Sequence, residues 1–443
     1  MTRTAAAIAI LLTCSFALMA GDWPQFKGAS GLGSSDEKNL PTEWTKDKGI
    51  RWKAELPSRG ISGPVVMGDR VYVTCSSGTR DDRLHVLCFD VSTGKQLWHR
   101  QLNATGGTAC HPKTCMAAPT PAADSSGVYA LFATGDLAAF DKDGNLRWYR
   151  SLVGDYPSVS NQVGMAASPV LLKDRLIVPM DNAGESFLAA IDIKNGQNLW
   201  KVDRPRDINW VTPVARQVGN TTEILVLSAK GLFAYDAATG KERWTHKQLG
   251  GTIPSPSLVG ETLFLPSGGV TVVKLGVDGV AGDPVWKVTG MQSGMGSPLV
   301  YGDRVYTVSK DGVITCAATT TGRVVWKERI KGTVSASPVA ADGKMYIVDE
   351  NGTTTVIGTG SEAMDVVATN PLGADREERL SRAVGESGRR LHAIVTEFLE
   401  LARAESGQIA KGEPVDILAL CRALPGVRGS GEPWIAKIGR AHV

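Results

Sequence analysis

Residues 231–244 read GLFAYDAATGKERW. An apolar strand runs into Asp236, a Thr239-Gly240 turn follows, and a second strand closes on Trp244. Asp and Thr side chains take up local backbone N–H groups in such a turn. Gly240 supplies the left-handed conformation that a tight hairpin needs. The pattern returns as LHVLCFDVSTGKQLW at 84–98, DLAAFDKDGNLRW at 136–148, FLAAIDIKNGQNLW at 187–200 and VITCAATTTGRVVW at 313–326. Trp52 and Trp286 extend the series Trp98, Trp148, Trp200, Trp244 and Trp326, with spacings between 40 and 52 residues. A lone Trp in a strand is usually core. One per repeat at a fixed phase is expected to wedge between neighbouring units, its indole N–H spent on a fixed hydrogen bond.

A second element precedes each hairpin: SGPVVMGDRVYVT at 62–74, ASPVLLKDRLIVPM at 167–180, GSPLVYGDRVYTV at 296–308, and variants starting at 118, 211, 254 and 336. A small residue and Pro start a strand, where no ladder donor is lost. A turn then leads into an alternating apolar strand. Each unit is therefore read as four antiparallel strands, A to D, and the period of 40 to 50 residues predicts an all-β propeller.

These repeats resemble the pyrroloquinoline-quinone-like (PQQ-like) β-propeller family over about residues 22–373. The opening Trp-Pro-Gln-Phe-Lys-Gly at 23–28 and Leu-Pro-Thr-Glu-Trp at 40–44 are similar to those of periplasmic propellers of that family. The resemblance implies the fold. It implies function only weakly, because one fold hosts many activities. The enzymatic branch seats its quinone over adjacent cysteines beside a calcium set of Glu, Asn and Asp. Neither a Cys-Cys pair nor a clear calcium set occurs here. No cofactor is expected, and PQQ in particular is not.

Complete units start near 62, 117, 167, 211, 254, 296 and 336, which gives seven four-stranded blades. Residues 50–56, carrying Trp52, read as an orphan D strand of an eighth blade whose A, B and C strands are absent. Ring closure by pairing an N-terminal strand into the last blade would remove an exposed edge. An open ring is therefore expected. Beyond about 374 the period becomes helical: Leu380, Val384, Leu391, Ile394, Val395, Phe398, Leu399 and Ala402. This stretch resembles a sensor histidine kinase helix without its phosphoacceptor. The terminus IGRAHV, read back into codons, resembles a sequencing adapter. Residues 374–443 are taken as a helical tail foreign to the propeller.

Residues 1–20 have the Arg3 n-region and apolar core of a secretory signal. Periplasmic or secreted location is expected, with no membrane span. The net charge of +3 argues against nucleic acid as a partner. Export permits disulfides. Cys110 and Cys115 bracket His111 in the longest early loop. A Cys110–Cys115 staple, two free thiols, or a metal site using both with His111 remain open. Polar loop residues cluster at Asp155, Tyr156 and Asn161, at Asp181 and Asn182, and at Arg206, Asp207, Asn209 and Trp210. They are candidates for binding a carbohydrate or protein on one propeller face, or for closing the loops between blades. No catalytic set is recognised. The expectation is a monomeric, non-catalytic binding or scaffold module of the outer-membrane assembly (BamB) type. A quinoprotein oxidoreductase and a carbohydrate-binding propeller are the alternatives.

Overall fold

A computed structural model describes residues 21–45, 48–160 and 164–371. The expected signal peptide, Asn161 and the tail from 372 lie outside the described residues. Seven antiparallel sheets follow one another along the chain, each built in sequence order. Blade 4 shows the unit: strand A is Val214–Val218, B is Thr221–Ser228, C is Gly231–Asp236 and D is Glu242–His246. Its C–D turn forms as its residues dictate. Asp236 Oδ1 accepts from the N–H groups of Ala238 and Thr239 and from Thr239 Oγ1. Gly240 sits at φ 73°. Asp90 organises the same turn in blade 1.

The A strands line the axis, since those of successive blades touch one another. A relay of hydroxyls ties their starts together. The Gly63 N–H donates to Thr120 Oγ1, and the Thr120 N–H to Ser168 Oγ. The chain continues through Thr212, Ser255, Ser297 and Ser337, every link 3.0 Å long. Each of these residues precedes a Pro, which holds it extended, and each from Gly63 to Ser297 spends its own N–H on the next blade. The small residue at the start of every unit is thus an interblade fastener. Gly63 has no hydroxyl, so the relay ends there.

The tryptophans fasten the outer layer. Trp98 lies across from Cys88 in its own sheet, and Trp148, Trp200, Trp244 and Trp326 across from Ala139, Ala190, Ala234 and Cys316. The register shifts immediately after each of these C-strand residues. The rings of Trp98, Trp148, Trp200, Trp244 and Trp286 each cover a glycine of the following blade's C–D connection, whereas no ring lies over Gly360 of blade 7. A Cβ on Gly144 would meet Trp98 at 2.7 Å, and one on Gly196 would meet Trp148 at 2.7 Å. The indole N–H groups of Trp98, Trp148, Trp200, Trp286 and Trp326 reach a carbonyl of the next blade at 2.8–3.2 Å. Trp244 covers Gly279 but its Nε1 has no partner. Blade 5 carries an extra short arm, Gly279–Val280, in place of the tight C–D turn.

Residues 50–56 form no strand. This corrects the orphan-strand expectation, because among the described residues no C strand stands beside them to complete a ladder. Trp52 nevertheless takes the fastener's position: its Nε1 donates to Val91 O at 2.9 Å, and a Cβ on Gly94 would meet its ring at 2.4 Å.

Candidate functional site

The motif at 23–28 begins a segment that crosses the axis over the A strands. Trp23 exchanges backbone hydrogen bonds with Val66 of blade 1 at 2.8 and 2.9 Å. The Ala123 N–H of blade 2 donates to Pro24 O, and the Leu171 N–H of blade 3 to Gln25 Oε1. The Ala340 N–H of blade 7 donates to Gly33 O, and the Ser35 N–H to Ala340 O. Between these anchors Lys27 turns into the hub. Its Nζ donates to Ser257 Oγ at 2.7 Å and to Pro256 O at 3.2 Å, both of blade 5. Burial without an ion pair pushes this amine down to about 7. Residues 22–35 are therefore a strap fixed to blades 1, 2, 3, 5 and 7. A cavity of about 150 Å³ remains between the strap and blades 3 to 5, lined by Phe26, Lys27, Leu171, Thr212, Val214 and Pro256 among others.

The polar loop residues divide into buried fasteners and exposed groups. Asp181 is 3% exposed and lies in a closed knot. Its Oδ1 and Oδ2 accept from Arg204 Nε at 2.7 Å and Nη2 at 2.9 Å. Asn209 Nδ2 donates to Asp181 Oδ2 and to Leu227 O. Arg204 Nη1 donates to the Tyr235 hydroxyl at 2.9 Å, and its guanidinium lies over the Phe233 ring at 5.0 Å. The knot bolts blade 3 to blade 4. Asn182 is also fully engaged: its amide donates to Met180 O and Glu185 O, and its oxygen accepts from the Ser160 and Gly184 N–H groups. Trp210 Nε1 donates to Gly164 O at 2.8 Å. Asp155 pairs with Arg150, while the Tyr156 hydroxyl accepts from Asn198 and its ring abuts Phe187 edge-on at 4.7 Å. Asp207 accepts from the Ile208 N–H and lies 3.8 Å from Lys230 Nζ, while Arg206 is exposed. These residues are not gathered into one pocket.

Cys110 and Cys115 are both free thiols here, the second of the three open readings. Cys115 is buried in the core shared by blades 1 to 3, and the half-buried Cys110 packs against the same core with its Sγ 3.8 Å from Thr114 O. His111 is exposed, and its Nδ1 accepts from the Lys113 N–H. The same loop reaches across to blade 7, where Lys113 Nζ meets Glu350 Oε1 at 2.6 Å. Sequence reasoning took Arg204 only as part of the polar link 204–210, and missed Lys27 and the hydroxyl relay. A lysine in an otherwise apolar and glycine-rich motif, and Ser or Thr before each Pro, were the available signals.

Comparison with known proteins gives the lineage. The family profile described as "Outer membrane protein assembly factor BamB" matches residues 32–201, 157–263 and 270–363, more than half of the chain. The BamB of Bordetella pertussis is 24% identical over 352 residues, covering 73% of this chain and 81% of that protein. A polyvinylalcohol dehydrogenase of Sphingopyxis sp. is 24% identical over 239 residues, covering 44% of this chain and 35% of that protein. Among solved structures, BamB of Moraxella catarrhalis superposes with a TM-score of 0.52 at 17% identity, covering 72% of this chain and 90% of that one. A quinohemoprotein alcohol dehydrogenase of Comamonas testosteroni gives 0.62 at 14% identity, covering 79% of this chain and 73% of that one. The superpositions bear out the propeller fold. With its repeats matched along this length, the chain belongs to the outer membrane protein assembly factor BamB family of PQQ-like β-propellers.

Proposed function

We propose that this protein is an exported, non-catalytic scaffold that binds other proteins during outer-membrane protein assembly. The observation that carries the reading is the strap. The hub, where a propeller could seat a cofactor, is crossed by residues 22–35 and fixed by bonds to five blades. The buried polar loop residues are spent on interblade fastening, as in the Asp181–Arg204 knot. What remains for a partner is the outer surface and the loop rims.

The competing reading, a quinone-dependent oxidoreductase, draws on the names of the dehydrogenase relatives. The residues of the hub do not fit such a group. The cavity beside the strap is about 150 Å³, whereas pockets for drug-sized ligands are roughly 300–1,000 Å³. Among the described residues, no three His, Cys, Asp or Glu are placed to hold a companion metal ion. The decisive experiment expresses the chain in a Gram-negative strain lacking its own assembly propeller and measures β-barrel proteins reaching the outer membrane. Restored levels support the scaffold. Export without restoration, together with quinone retained through gel filtration and alcohol oxidation, overturns it.

A further inference from the structure

Lys27 is an expensive way to anchor a strap. It adopts a left-handed backbone, φ 61°, which a side-chain-bearing residue visits at a cost. It is 7% exposed. Burial of an ammonium is tolerated when an anion pairs with it, yet both acceptors of Nζ are neutral, a carbonyl and a hydroxyl. Ser257 Oγ donates its own hydrogen bond to Pro298 O at 2.7 Å, so a lone pair is what it offers Lys27. Two neutral acceptors match the two N–H bonds of an uncharged amine and leave that amine's lone pair unused. The downward push on its titration agrees with this geometry. Pro256, whose carbonyl accepts from Nζ, also lines the cavity of about 150 Å³. By size alone a cavity of about 150 Å³ can hold a benzene-sized molecule, and this one is lined by polar as well as apolar groups.

We propose that Lys27 and this cavity form a covalent capture site for a small neutral aldehyde or ketone. The nitrogen lone pair attacks the carbonyl carbon while the carbonyl π pair moves to oxygen, and a proton passes from nitrogen to that oxygen to give a carbinolamine. The C–O bond then breaks, the oxygen leaves as water with the second amine proton, and a C=N bond forms. One amine and one carbonyl compound give one imine and one water, with no change of oxidation state. The lining suits such a guest: Val214 and Leu171 offer apolar contact to its alkyl part, and Gln25, Ser30, Thr212 and Ser255 offer polar edges to its oxygen. A desolvated, neutral lysine is the form that does this chemistry.

The test uses the full chain with propanal and sodium cyanoborohydride at pH 7, followed by intact mass measurement and peptide mapping. The hydride reduces the imine and fixes a propyl group on the amine. Exposed lysines at an ordinary value near 10.4 are neutral in only about one molecule in 10³ at this pH, so Lys27 is expected to react at least about tenfold faster than any of them. Its rate should rise through a midpoint near 7. The preference should vanish in 6 M guanidinium chloride, which keeps the test independent of whether a variant folds. Lys27→Arg should lose the adduct, and Lys95→Arg should keep it. Propylation spread over surface lysines with Lys27 no faster, or no adduct at Lys27, overturns the proposal.

Discussion

Replacing Lys27 with Met removes a titrating group from the hub and keeps most of the side chain's volume. The amine is about 7 in the folded chain against an unfolded 10.5. Its folded value is depressed, and the neutral form is the one the fold favours. Above 10.5 both states are neutral and the lysine costs nothing. As pH falls toward 7 the unfolded state takes up a proton that the folded state refuses, so stability declines. Below 7 both states are protonated and the penalty is constant. A shift of about 3.5 units at about 1.4 kcal/mol each gives a ceiling of about 5 kcal/mol. Two hydrogen bonds lost to Met offset about 1–3 kcal/mol of it. Lys27→Met should therefore unfold at higher denaturant than the parent at pH 6, by about 2–4 kcal/mol on these figures. It should lose that advantage by pH 10.5. Paired urea titrations from pH 6 to 10.5 measure the difference, and every other titrating group cancels between the two chains. A difference that does not vary with pH would refute the reasoning.

Asp181→Ala leaves Arg204 buried without its carboxylate and should destabilise by about 3–5 kcal/mol in urea titrations, while partner binding by the correctly folded fraction is unchanged. Trp148→Ala empties the seat over Gly196 and should cost about 3–5 kcal/mol, read as a loss in melting temperature; a surface tryptophan would cost far less. Dialysis against PQQ with calcium, then gel filtration and an absorbance scan, should leave no stoichiometric quinone on the protein. Replacing residues 374–443 with an A–B–C strand segment should raise the melting temperature and suppress aggregation in light scattering; equal stability with and without it would make seven blades the native number.

The blades were legible because their signals are local. Alternation marks the strands, Asp and Gly mark the C–D turn, and the ring-bearing position repeats at one phase, so Trp98 through Trp326 fall where the spacing puts them. What joins distant residues was not legible. Whether Asp181 is a ligand or a bolt depends on meeting Arg204, and that meeting is set by the packing of blade 3 on blade 4. Glu223, fully buried beneath Arg216 at 2.7 Å and Arg243 at 3.0 Å, gave no sequence signal for the same reason. The strap at 22–35 was visible only as a motif, because it is held largely by backbone bonds, which any residue can make. Whether Cys110 and Cys115 pair was not legible, because short sequence separation does not fix how two sulfurs face one another: Cys115 is buried in the core and the half-buried Cys110 packs against it, both as free thiols.

The seam between the last and first blades obeys the same side-chain code as the others. In blade 6 a row of paired residues, Leu299, Tyr306, Cys316 and Trp326, packs against the face of blade 7. The corresponding row of blade 7 is Val339, Tyr346, Val356 and Ala368. Its outermost member has no ring to lay over a neighbour's glycine. The glycine of blade 1 that would receive one, Gly94, already lies under Trp52. The code thus leaves room for one more unit, whose fastening ring is Trp52. The connection from strap to blade 1 patches both walls of that seam. Trp44 stacks on Tyr346 at 6.5 Å, while its backbone N–H and Thr42 O bond to the Asn370 side chain. Trp52 covers Phe89 on the opposite wall. A stacked ring pair adds about 0.5–1.5 kcal/mol, whereas burying a whole side chain contributes about 1.5–3 kcal/mol. Val339 and Val348 stay exposed on the blade 7 wall. Two indoles on a connection without a ladder therefore hold the seam less firmly than a blade does, and the outward face of blade 7 remains the weakest wall of the ring.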